Sequence, residues 1–81
     1  MKHAKKWDYT ERMYEDIEID DGCKAYSDDM NEIVICPGCG KGLRIGSGYT
    51  SHEIQTPVGF GYVVCKDCYL QELSRRERYK V

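Results

Sequence analysis

Cys36-Pro37-Gly38-Cys39-Gly40 and Cys65-Lys66-Asp67-Cys68 decide how this chain is read. Each is a C-x-x-C pair, and 25 residues separate the two. Four thiolates at this spacing suit one tetrahedral metal site, for which zinc is the usual structural ion. The interval leaves room for a β-hairpin. In the first pair, proline and glycine permit a tight turn that points backbone N–H groups at the sulfurs. The second pair has no glycine behind it and runs into Tyr69-Leu70-Gln71-Glu72-Leu73, a helical stretch. The expectation is a single structural Zn2+ held by Cys36, Cys39, Cys65 and Cys68.

Other uses of four cysteines fit less well. The opening Met1-Lys2-His3-Ala4-Lys5-Lys6-Trp7 is basic and lacks the apolar run of a signal peptide. A cytoplasmic chain keeps its thiols reduced, which argues against paired disulfides. A thioredoxin-like redox pair belongs in a βαβ pattern, and none is legible. A rubredoxin-type iron site also uses four thiolates, but it resembles two glycine-followed knuckles, whereas Tyr69 follows Cys68. Iron or redox use stands as an alternative to zinc.

Eighty-one residues allow one domain, near the size at which an apolar core alone is marginal. Hydrophobic residues make up 41%, but seven tyrosines and five cysteines are counted among them, so the aliphatic core is thin. A structural zinc contributes about 10–16 kcal/mol in small fingers, enough to decide whether such a chain folds. No stretch approaches the roughly 20 apolar residues of a membrane span. The net charge of −2 hides an asymmetry. Residues 1–32 hold ten acids and five bases, a net of −5, and residues 33–81 hold four acids and seven bases, a net of +3. Such a chain lacks the concentrated positive charge of a generic nucleic-acid binder.

The pattern divides the chain into an acidic N-terminal segment, 1–32, and a zinc-finger domain, 33–81. Thr10 reads as a helix N-cap ahead of Met13, Tyr14 and Ile17, which predicts a short helix over 10–17. Asp16-Ile17-Glu18-Ile19-Asp20 also reads as an alternating strand, the less favoured choice. Gly22 to Asn31 reads as loop. Glu32-Ile33-Val34-Ile35 is a β-branched run leading into the first knuckle, and Leu43-Arg44-Ile45 reads as its return strand. Ser51 to Thr56 and Phe60 to Val64 read as two further strands joined by a Pro57-Val58-Gly59 turn. Gly59 and Gly61 around Phe60 indicate a bulge or a close backbone approach. A helix over 66–79 follows, with Asp67 in its first turn and Arg75, Arg76, Arg78 and Lys80 crowding its end, both suited to the helix dipole.

A knuckle, short antiparallel hairpins and a C-x-x-C opening a C-terminal helix together resemble the treble-clef zinc finger, with a first pair also similar to a zinc-ribbon knuckle. The resemblance covers residues 33–74, with Cys36, Cys39, Cys65 and Cys68 at the family's ligand positions and Pro37 and Gly40 fitting its knuckle. It implies a small α+β zinc-stabilised fold. Size and cysteine layout also look like the small regulatory zinc proteins of bacteria and phages, including sporulation anti-sigma factors. That likeness implies a regulator acting on a protein partner such as the transcription machinery.

The remaining residues are weighed for chemistry. A closed four-thiolate shell has no open position for catalysis, and no H-E-x-x-H, P-loop or nucleophile elbow is present, so the expectation is no enzymatic activity. His52 falls between the pairs but reads as a surface strand residue, and His3 as solvated. Cys23 reads as a spare thiol in a loop. Tyr49, Phe60, Tyr62 and Tyr69 read chiefly as lining a small core beside the metal. The acidic residues, interspersed with Tyr14, Ile17, Ile19 and Tyr26, suit docking to a basic protein partner. Nucleic-acid binding through Lys41, Arg44, Lys66, Arg75, Arg76 and Arg78 is the alternative.

Overall fold

Charged and apolar side chains alternate over Asp16-Ile17-Glu18-Ile19, and this stretch pairs with the basic lead in a hairpin. In the computed structural model, which describes residues 1–79, β1 (Lys2–Asp8) and β2 (Met13–Ile19) pair antiparallel without interruption from Lys2↔Ile19 to Asp8↔Met13. Residues directly opposite share a face. On the inner face Ala4 and Ile19 are buried and Ile17 packs against them. On the outer face His3 stands opposite Glu18, Lys5 opposite Asp16, and Trp7 opposite Tyr14. Lys5 Nζ lies 2.7 Å from Asp16 Oδ1, and the Trp7 and Tyr14 rings meet edge-on at 4.9 Å.

The helix expected over 10–17 is therefore a turn followed by a strand. Asp8 Oδ1 accepts the N–H groups of Thr10 at 2.8 Å and Glu11 at 3.2 Å, and the Arg12 N–H returns to the Asp8 carbonyl at 2.8 Å. Asp8 thus organises a tight reversal, where Thr10 was expected to begin a helix. Ile17 and Ile19, two residues apart, face one side together only in a strand.

The elements after residue 32 follow the sequence pattern closely. They are β3 (Ile33–Ile35), β4 (Gly42–Arg44) with a 3-10 turn at Ile45–Ser47, β5 (Tyr49–Gln55), β6 (Gly61–Val64) and α1 (Lys66–Arg78). Lys80, placed by the sequence reading at the helix end, lies outside the described residues. The strands form a four-stranded sheet in the order β2-β1-β5-β6 and a separate β3-β4 hairpin, all pairs antiparallel. Within residues 1–32, read as an acidic N-terminal segment, β1 pairs β5 through Lys5↔Gln55 and Lys6↔Ile54. The arm's acids meet the chain's own basic lead.

Between Thr50↔Val63 and Gln55↔Gly61 the register of β5 against β6 shifts, so β5 bulges. Gly61 makes the close approach possible, since a Cβ there would sit 2.2 Å from the Ser51 carbonyl oxygen. Apolar burial is divided among three small clusters. Ala4, Ile19, Cys23, Ile54 and Tyr62 form one, Val34, Ile45 and Val63 a second, and Cys36, Val64 and Cys65 a third. The third lies at the paired cysteines.

Candidate metal centre

Backbone geometry brings the first pair to a point. The Cys36 N–H donates to the Lys41 carbonyl and the Gly40 N–H to the Cys36 carbonyl, both at 2.8 Å, which folds residues 36–41 into a knuckle. Gly40 takes φ 78°, left-handed backbone that a side chain would strain. The second pair is set by α1. Cys65 is its N-cap residue, arriving from β6 in extended backbone, and Cys68 and Asp67 lie in its first turn.

The four sulfurs converge, all lying within 4.8 Å of one another. The Cys39 and Cys65 sulfurs are 3.7 Å apart, close to the ~3.8 Å edge of a tetrahedron with metal–sulfur bonds of about 2.3 Å. Cys36 and Cys65 are buried, Cys68 is half-buried and Cys39 exposed, so the cluster opens to solvent on one side. The Cys65 N–H reaches the Cys36 sulfur at 3.4 Å. Burial disfavours the Cys65 thiolate, but the Cys68 backbone N–H and the surrounding thiols outweigh it and bring Cys65 down to about 7. Burial and the neighbouring thiols push Cys68 up. One thiol poised to ionise at neutral pH among four converging sulfurs is a donor set built for a soft or borderline cation, and zinc is compatible with it.

The other singled-out residues fall elsewhere. His52 is exposed on β5, as expected of a surface strand residue, with its ring 6.1 Å from Tyr69. Cys23 lies in a loop outside the four-sulfur cluster, as expected of a spare thiol. It is wholly buried beside Ala4, Ile19, Ile54 and Tyr62, and burial raises its pKa. Of the aromatics, Tyr62 is core, Tyr49 and Tyr69 stack at 4.8 Å beside the cysteines, and Phe60 is exposed. Lys41, Arg44, Lys66, Arg76 and Arg78 are exposed. Arg75 is withdrawn from that basic set, because its guanidinium pairs with Glu53.

That pair belongs to a polar network the sequence reading missed. Glu53 and Glu72 are both almost wholly buried. Arg75 donates to Glu53 through Nε at 2.9 Å and through a terminal nitrogen at 2.6 Å. Glu72 accepts the Ser51 hydroxyl and the His52 N–H, the latter at 3.1 Å. The Ser51 hydroxyl oxygen in turn accepts the N–H groups of Glu53 and Ile54. Backbone freed by the β5 bulge is thus satisfied by a helix side chain. Cys68, Glu72 and Arg75 recur at i, i+4, i+7, one helical face; that spacing was the available signal. The network fixes α1 against β5 and so fixes where Cys68 points.

A small α+β chain with antiparallel sheets, one C-terminal helix and a four-cysteine cluster able to bind a metal ion is the class defined by fold and site. No known protein family, characterised protein or solved structure matches it. No helix among the described residues is long and apolar enough to cross a membrane.

Proposed function

We propose that this chain is a zinc-held, non-enzymatic interaction module of treble-clef type. It would act in the cytoplasm as a small regulator on a protein partner. The observation that carries the reading is the convergence of Cys36, Cys39, Cys65 and Cys68 from a knuckle and a helix start 25 residues apart. When bound, zinc supplies a cross-link worth about 10–16 kcal/mol in small fingers. The chain's own residues do the positioning. Gly40 and the knuckle hydrogen bonds aim Cys36 and Cys39, and Glu72 with Arg75 seats the helix that carries Cys68. Four thiolates close the shell, which supports a structural rather than a catalytic ion.

Binding to a protein is supported by the character of the surface. Met13, Tyr14, Tyr26, Ile33, Val58 and Phe60 are exposed, and Met13 and Tyr14 lie on the same strand as Glu15, Asp16 and Glu18. The transcription machinery is the partner class favoured by the resemblance to small bacterial and phage regulators. Nucleic-acid binding is weaker as a reading because Arg75 is committed to a buried carboxylate.

The test is metal analysis joined to folding. The purified protein is expected to carry one zinc per chain, and a strong chelator to abolish the α1 circular-dichroism signal until zinc is restored. Metal-free protein with an unchanged spectrum would end the proposal. Generic DNA or RNA binding with a steep salt slope would replace it with the nucleic-acid reading.

A further inference from the structure

Among the described residues, the outer edge of β2 is a long strand edge that the fold leaves open. β2 stands at the end of the order β2-β1-β5-β6 and pairs with β1 over its whole length. Every second residue therefore points its N–H and C=O away from the sheet. Among the described residues, no backbone group of residues 13–19 bonds anything except β1. The opposite edge is different, since the Val63 N–H on β6 is taken by the Lys24 carbonyl.

Proteins guard such edges with proline, bulges, short length or charge. β2 has neither proline nor glycine, its register with β1 is unbroken, and it is seven residues long. Charge is the remaining guard, as Glu15, Asp16 and Glu18, and charge is selective. Two copies meeting at β2 would bring three carboxylates from each into adjacent strands, so a second copy of this chain is rejected. A basic strand is attracted.

The fold already contains such a complement. β1 offers His3, Lys5 and Trp7 to Glu18, Asp16 and Tyr14 in turn, and the Lys5–Asp16 ion pair holds Asp16 below the usual carboxylate range. The far side of β2 presents the same row of side chains to a further strand. Resting on the interaction-module reading, we propose that the β2 edge takes up an extended basic segment of a partner protein as a fifth, antiparallel strand. Basic side chains of that segment alternate along the face carrying Asp16 and Glu18, with an aromatic or apolar side chain opposite Tyr14. Backbone hydrogen bonds supply the pairing, and the alternating charge sets register and sign.

The test uses full-length, zinc-loaded protein and a seven-residue peptide that alternates lysine with valine and ends in tyrosine. Amide exchange should slow at every second residue of 13–19, with binding that weakens as salt rises. A version N-methylated at alternate amides keeps the charge but cannot pair, and it should bind about tenfold more weakly or worse. Glu18→Gln, and separately Asp16→Lys, should weaken the unmodified peptide without changing the metal content. The Trp7–Tyr14 near-ultraviolet signal reports that the hairpin is intact in each variant. Equal binding of the methylated peptide would mean a merely acidic surface and would overturn the proposal. So would protection confined to β3, β4 or α1, although that result would leave a protein-binding module using another face.

Discussion

Cys23 and Cys36 are equally inaccessible, yet they do different work, and the difference lies in their neighbours. Cys36 faces three other sulfurs, whereas Cys23 faces Ala4, Ile19, Ile54 and Tyr62. Cys36→Ser should lose the metal and the fold together. Cys23→Ser should retain one metal per chain but lose about 1–3 kcal/mol, the cost of burying a hydroxyl among apolar groups. Metal content and thermal melting of the two variants separate these outcomes, and metal loss in both would reassign the ligands. The arginines of α1 divide in the same way. Arg75→Ala removes the partner of the buried Glu53 carboxylate but admits water, because the arginine is itself part-exposed, and should cost about 1–3 kcal/mol. Arg76→Ala removes an exposed side chain and should stay within about 0.5 kcal/mol. Denaturant titration of both makes the comparison, and equal values would mean that the ion pair is not holding the helix.

At the scale of elements, what could be read from sequence was what is locally determined. Ile33-Val34-Ile35 is β-branched throughout, Gly61 to Val64 runs straight into a cysteine, and Asp67 and the terminal arginines mark the two ends of α1. β1 stayed hidden, and β2 showed only as the less favoured strand over residues 16–20, because each is stabilised mainly by the other. Lys5 has no local reason to be extended until Asp16, eleven residues on, stands opposite it. The buried face of α1 was hidden for a related reason. Hydropathy favours Leu70 for the interior and Glu72 for solvent, but Leu70 is 48% exposed and Glu72 2%. Only the β5 bulge, whose N–H groups need an acceptor, explains the exchange. The β1–β2 turn offers its own test. Arg12 sits at φ 55°, left-handed backbone costing about 1–2 kcal/mol for an L-residue. Glycine removes that strain but is freer in the unfolded chain, so Arg12→Gly should stabilise by about 0.5–1 kcal/mol. A fall in melting temperature would mean that the Arg12 side chain holds the turn by contacts of its own.

At the scale of the molecule, no single core dominates among the described residues: three clusters of five, three and three buried residues are joined by hydrogen bonds and by the cysteines. Stability should therefore follow the metal, and the metal should follow pH. Binding replaces thiol protons with one cation, so the slope of log apparent affinity against pH counts the protons released. The metal-free chain is expected to unfold, so its thiols take the ordinary value of about 8.5 and stay protonated below it. The slope there should approach about four decades per pH unit. The sign agrees with linkage: a thiol held as thiolate in the loaded fold has its pKa depressed. Its contribution is full above the unfolded value near 8.5 and is lost as pH falls through the folded one. A chromophoric chelator titrated against the protein from pH 5.5 to 8 measures the slope directly. A limiting value near two would show that only one C-x-x-C pair binds the ion. The knuckle and the helix would then be held together by the Glu72 and Arg75 contacts rather than by sulfur.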